Sequence, residues 1–158
     1  MHIGIYGKTG IGKTYNSMLW AHEQFYREEV FLCRHLEDMK FYRNEPCIIF
    51  DDISFELIEP TQLIKLTDMD FHCSIRILNM IVQIEPTVFK IFTHNNKDAF
   101  QPILASPQQH KAICRRIQLE PVDRQEQVYQ LLSETYKKFE TKLQSRKQLP
   151  WLDLESII

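Results

Sequence analysis

Lys13 and Thr14 close the run Gly7-Lys8-Thr9-Gly10-Ile11-Gly12-Lys13-Thr14, which fits the spacing G-x-x-x-x-G-K-[ST]. All four glycines of the chain lie between Gly4 and Gly12. The chemistry that such a run serves is phosphate binding. Glycines let backbone N–H groups close around phosphate oxygens, a lysine reaches the β- and γ-phosphates, and a threonine hydroxyl holds Mg²⁺. A glycine-rich turn without a ligand accounts for the glycines, but not for Lys13 and Thr14 at those two positions. The expected cofactors are therefore ATP and Mg²⁺.

Three further groups can complete that chemistry. Asp51 and Asp52 follow the apolar run Cys47-Ile48-Ile49-Phe50, in the manner of a Walker B element. Asp51 is placed to hold Mg²⁺ through water, and Asp52 to orient or deprotonate an attacking water. Paired aspartates after a strand also cap turns and helices. Asn95, in Thr93-His94-Asn95-Asn96, can bridge a γ-phosphate and the lytic water, or simply start a polar loop. Arg115 and Arg116 form either a surface ion-pairing couple or a guanidinium source for neutralising transferring phosphoryl charge.

The elements that must position these groups are legible in the hydrophobic pattern. Residues 2–6 read as a short buried strand feeding the glycine run, and residues 15–25 as a helix whose start faces the anion. Residues 30–33 read as a second strand and residues 34–45 as a surface connection. Residues 46–52 have the continuous apolar character of a central parallel strand. Residues 60–66 suit a short helix, and residues 73–84 an extended hairpin rich in β-branched side chains. Residues 87–92 read as another strand. Ser106 and Pro107 start a helix that runs into a last strand spanning Arg115 to Leu119. Val128, Leu131, Leu132, Thr135, Phe139 and Leu143 then mark one amphipathic helix, ended by Pro150 and followed by an apolar-acidic tail at residues 151–155. That helix is expected to pack on its own domain, or else to pair with another copy of the chain.

Composition narrows the classes. At 158 residues and a formal charge of −2, the chain suits one compact domain, and binding to a polyanion needs a local basic strip rather than a basic surface. Cys33, Cys47, Cys73 and Cys114 lack zinc-site spacing and read as buried free thiols. No apolar stretch approaches the roughly 20 residues of a membrane span. A soluble, intracellular protein is expected.

The ordered set GKTGIGKT, CIIFDD, FKIFTHN and KAICRRIQL resembles the superfamily 3 helicase domain. That domain is found in replication-associated (Rep) proteins of circular single-stranded DNA viruses and plasmids, and in related viral RNA helicases. The resemblance covers roughly residues 1–120. It implies an AAA+-like P-loop NTPase fold, α/β with a parallel sheet flanked by helices, over residues 1–121, with residues 122–158 as a C-terminal helical appendage and tail. It also implies that Gly12, Lys13 and Thr14 bind ATP and Mg²⁺, that Asp51 and Asp52 are the Walker B acids, and that Asn95 is the sensor. Arg115 or Arg116 becomes a finger acting on a neighbouring subunit. The implied activity is ATP-driven translocation on single-stranded DNA or RNA by a homo-oligomeric, hexamer-like ring, in the host nucleus or cytoplasm if the source is viral.

Two departures accompany the resemblance. The strand-gripping hairpin of the family carries a lysine and a glycine turn, whereas this chain offers Asn79-Met80-Ile81, so strand contact falls to Arg76, Lys90 or the polar groups of the loop. The nicking domain that Rep proteins join to this one is not seen ahead of the glycine run, which is expected of either a fragment or a stand-alone motor with a separate nicking partner. The competing classes are a small P-loop kinase acting on a metabolite or nucleoside, and a non-motor NTP-binding module.

Overall fold

The computed structural model describes residues 1–70, 72–77 and 79–147, so Pro150 and the expected tail at residues 151–155 lie outside the described residues. Five short strands form one sheet: β1 (His2–Tyr6), β2 (Val30–Cys33), β3 (Cys47–Asp51), β6 (Phe89–His94) and β7 (Ile117–Pro121). All are parallel, in the order β2-β3-β6-β1-β7. A separate antiparallel hairpin, β4 (Cys73–Ile77) and β5 (Met80–Ile84), supplies the only other sheet among the described residues.

The three inner strands are mostly apolar because both of their faces are covered. On one face, α1 (Lys13–Gln24) and α4 (Gln125–Lys147) bury Trp20, Val128, Leu132 and Phe139 against Ile3, Ile5, Ile49, Phe89 and Ile91. Trp20 is fully buried, meets Phe89 and Tyr136, and donates its indole N–H to Ser133 Oγ at 3.1 Å. The residues set apart as a C-terminal appendage thus share a core with the sheet, along the stripe that the 3-4 spacing marks. On the other face, α2 (Pro60–Leu66), α3 (Pro107–Arg116) and the hairpin enclose Phe50, Phe55, Phe92 and Phe100 with Ile75, Ile77, Val82 and Ile84.

Local signals explain most boundaries. Ser106 Oγ accepts the Gln109 N–H while the Gln109 side chain accepts the Ser106 N–H, a capping box that fixes the start of α3 with Pro107 in its first turn. The helix runs on through Arg115 and Arg116, so both arginines end α3 instead of opening β7 as the sequence predicts. The charged stretch at residues 34–45 holds a 3-10 helix, Leu36–Phe41, anchored by buried Met39. Of the thiols, Cys33 and Cys47 are buried, but Cys114 is exposed. Burial pushes the Cys33 thiol up to about 12. No described helix is long and apolar enough to cross a membrane.

Candidate functional site

The strands of a parallel sheet all end on the same side, and here the segment that follows β1 and the ends of β3 and β6 line one cavity of about 360 Å³. The loop at residues 7–12 leaves β1 and enters α1 through Gly12, which has φ +82° and acts as N-cap without any side-chain cap. The first N–H groups of α1 are therefore left for an anion. Gly7 is required on steric grounds: a Cβ there would stand 2.3 Å from the Val122 carbonyl oxygen.

Lys13 is 7% exposed, and its ammonium donates to the carbonyls of Gly7 (2.9 Å) and Lys8 (2.8 Å) and to Asn95 Oδ1 (3.1 Å). Burial lowers its pKa, and the nearby Asp52 and Asp51 carboxylates work against that shift. Asn95 also donates from Nδ2 to Thr9 Oγ1 at 2.8 Å, so its amide ties the lysine to the glycine loop. Thr9, Gly10, Gly12 and Thr14 line the same cavity.

Thr14 lies one residue further into α1, and its hydroxyl donates to Asp51 Oδ1. Thr93 Oγ1 stands 3.4 Å from both Thr14 Oγ1 and Asp51 Oδ1. The three come together because Asp51 and Thr93 are register partners in β3 and β6 and α1 crosses that face. Two hydroxyls and a carboxylate are hard oxygen donors of the kind Mg²⁺ takes, and Mg²⁺ needs few of them because it keeps several waters. Among the described residues, no group of three His, Cys, Asp or Glu gathers into a metal site.

Asp52, just past β3, has φ +55° in the left-handed region and donates its N–H to Thr93 O at 2.9 Å. The turn carries its carboxylate to the cavity mouth, where its side chain is 64% exposed.

The remaining expected residues lie elsewhere. Among the described residues, the cavity lining contains neither Arg115 nor Arg116. Arg115 is exposed at the end of α3, while Arg116 donates to the Ala112 carbonyl of its own helix at 2.9 Å. Arg76 is exposed on the hairpin, with its backbone N–H bonded to Gln62 Oε1 at 2.6 Å. Lys90 is 0% exposed. Its proposed contact with a nucleic-acid strand is therefore corrected: the second residue of a central strand points into covered protein, and its backbone N–H is bonded to His2 Nδ1 at 3.2 Å.

Three residues at the site carried no signal of their own. Tyr15 reaches the cavity with 67% of its surface exposed. Arg34, just past β2, brings Nε to 3.9 Å from Asp51 Oδ2. His94 lines the cavity beside Asp52. Only the register of neighbouring strands reveals the last two, since both are distant in sequence from the aspartates they face.

Compared with known proteins, the chain matches no family model, and no curated protein matches it.

Proposed function

We propose that this chain is an ATP-dependent motor of the superfamily 3 helicase type, with an AAA+-like P-loop ATPase fold, acting on single-stranded nucleic acid in genome replication. One observation carries the reading: Lys13, Thr14, Asp51, Asp52 and Asn95, from three separate segments, meet around a single cavity at the carboxyl ends of parallel strands. In this reading residues 7–14 form the Walker A loop. Lys13 exchanges its carbonyl partners for the β- and γ-phosphates of ATP. Thr14 and Asp51 would hold Mg²⁺, which supplies charge neutralisation across the phosphate oxygens when bound. Asp52 accepts a proton from the attacking water, and Asn95 orients that water against the γ-phosphate.

The arginines supply what the cavity's own lining does not. Arg115 is exposed and outside the cavity, as a group serving the ATP of a neighbouring subunit must be, whereas Arg116 is engaged by its own helix. Arg76, exposed on the hairpin, is the cation for the strand path.

Product analysis of labelled ATP, with and without single-stranded DNA or RNA, tests the reading. Release of ADP and inorganic phosphate, stimulated by one of the two polymers and lost in Lys13→Ala, is the expected result. Transfer of label to a small acceptor would replace the motor with a kinase. Slow hydrolysis indifferent to both polymers would leave an NTP-binding module.

A further inference from the structure

The register that joins Asp51 to Thr93 has a consequence one residue further along both strands: Asp52 and His94 become neighbours. His94 Nε2 lies 3.6 Å from Asp52 Oδ1. The ring is held from two other sides. Its Nδ1 accepts the Asn96 N–H at 2.9 Å, and it stands edge-on to Phe100 with centroids 6.4 Å apart at 80°. With Nδ1 occupied as an acceptor, the neutral ring carries its proton on Nε2, facing the carboxylate. Asp52 has its own backbone tether, the N–H bond to Thr93 O, but at 64% exposure its carboxylate has water on most sides, whereas the His94 side chain is 20% exposed.

We propose that His94 is a positioning residue for Asp52: its Nε2–H draws in Oδ1, fixes the carboxylate at the cavity mouth, and leaves Oδ2 as the oxygen that receives the water's proton. The inference rests on the reading of Asp52 as general base. In the step it serves, the water oxygen bonds to the γ-phosphorus, the bond from phosphorus to the β-γ bridging oxygen breaks with its electron pair staying on ADP, and the water's proton goes to Asp52. The 3.6 Å separation is longer than a hydrogen bond and closes by a few tenths of an ångström, the tightening expected of catalytic contacts when substrate binds. A neutral donor does this without changing the net charge of the phosphate site.

The test is steady-state ATP hydrolysis and fluorescent-nucleotide binding in the full chain for His94→Ala, His94→Gln, Asp52→Asn and the His94→Ala/Asp52→Asn double variant. Lys13→Ala sets the background, and thermal melting reports on folding. His94→Ala should lower kcat about 10- to 100-fold, the scale of one hydrogen bond to a charged group, with KM and nucleotide affinity unchanged. His94→Gln, whose amide N–H reaches the same place, should recover most of the loss. The double variant should be no slower than Asp52→Asn alone, because the imidazole acts only through that carboxylate. Wild-type kcat in His94→Ala, a matching rise in KM, no recovery by glutamine, or additive losses in the double variant would each overturn the proposal. If Lys13→Ala and Asp52→Asn behave as phosphate ligand and base while His94→Ala is normal, this inference alone falls. If the wild type hydrolyses no more ATP than Lys13→Ala, the functional reading falls and takes the inference with it.

Discussion

The two ends of the central sheet each carry a lysine and a histidine. At the carboxyl ends, Lys13 and His94 open onto a cavity, Lys13 bonded to loop carbonyls that a ligand can displace and His94 facing Asp52 at 3.6 Å. At the amino ends, His2 and Lys90 are both 0% exposed, with the His2 ring 5.7 Å from Phe139 of α4 and 6.2 Å from Phe89. Burial drives the His2 pKa well below its ordinary value, and the Lys90 ammonium pushes in the same direction. The Lys13 pKa is also lowered by burial, but two carboxylates oppose the shift. Residue type is thus a poor guide to chemistry in a parallel sheet. What separates a site from a filled core is the end of the strand and the presence of a cavity there.

The sharpest way to break the comparison is to remove the lysines separately. Lys13→Ala should cost on the order of 10³-fold in ATP turnover, as expected when a phosphoryl-charge ligand is lost. Lys90→Met should leave turnover within about twofold, since that side chain is fully buried near the amino end of β6 and does not line the cavity. Equal losses in the two would mean that the ends of the sheet are not functionally distinct. Arg115→Ala is expected to match Lys13→Ala in magnitude, again on the order of 10³-fold. Mixing those two inactive proteins should restore ATPase at interfaces that pair an intact glycine loop with an intact Arg115. Failure to complement, in proteins shown to co-assemble, would place the finger in cis, move it to Arg116, or leave a monomer.

A smaller effect belongs to Asp52→Asn. An amide is a poor base, so turnover should fall about 10²- to 10³-fold while nucleotide binding stays at the wild-type level. Hydrolysis at the wild-type rate would remove Asp52 from the mechanism and leave it as the residue just past β3.

The contrast also separates what was legible in the sequence from what was not. The glycine loop, the acidic strand end and Asn95 were readable because each is a local pattern, with backbone and side-chain requirements confined to a few consecutive residues. β1, β2, β3 and β6 are readable for the same reason, a short apolar run bounded by polar residues, whereas the half-buried edge strand β7 begins two residues later than the sequence predicts. Lys90 was misassigned because nothing in residues 87–92 tells which side of a strand is covered, or by what. His94 and Arg34 were missed because their roles come from register between β2, β3 and β6, a non-local property. The arginine pair was displaced by one element because nothing before Ile117 stops α3. Cys114 is exposed where the sequence predicts burial, because hydrophobicity alone does not say which face of α3 meets the core.

Arg76 sharpens the comparison at the hairpin, away from both sheet ends. Removing one phosphate contact to a single strand makes the slope of log affinity against log salt shallower by about 0.7. Arg76→Ala should show that change with basal ATPase retained, and Lys90→Met should leave the slope alone. A wild-type slope in Arg76→Ala would move the strand contact off the hairpin.

The smallest effect concerns the closed end. His2 has a folded-state pKa below its unfolded value of about 6.5. Above that pH both states hold it neutral, and it adds no pH dependence. Below it, the unfolded chain takes up a proton that the folded chain refuses, so stability is lost as pH falls, by up to about 1.4 kcal/mol per pH unit. His2→Asn keeps an acceptor near the Lys90 N–H and cannot titrate. Urea midpoints measured from pH 8 to pH 5 should therefore diverge below about pH 6.5, the wild type losing more stability than His2→Asn. The variant's curve should sit lower at pH 8, because a smaller side chain packs less well against Phe89 and Phe139. Parallel curves down to pH 5 would mean that His2 takes its proton without unfolding. The amino end of the sheet would then be open to water, and the distinction between the two ends would be lost.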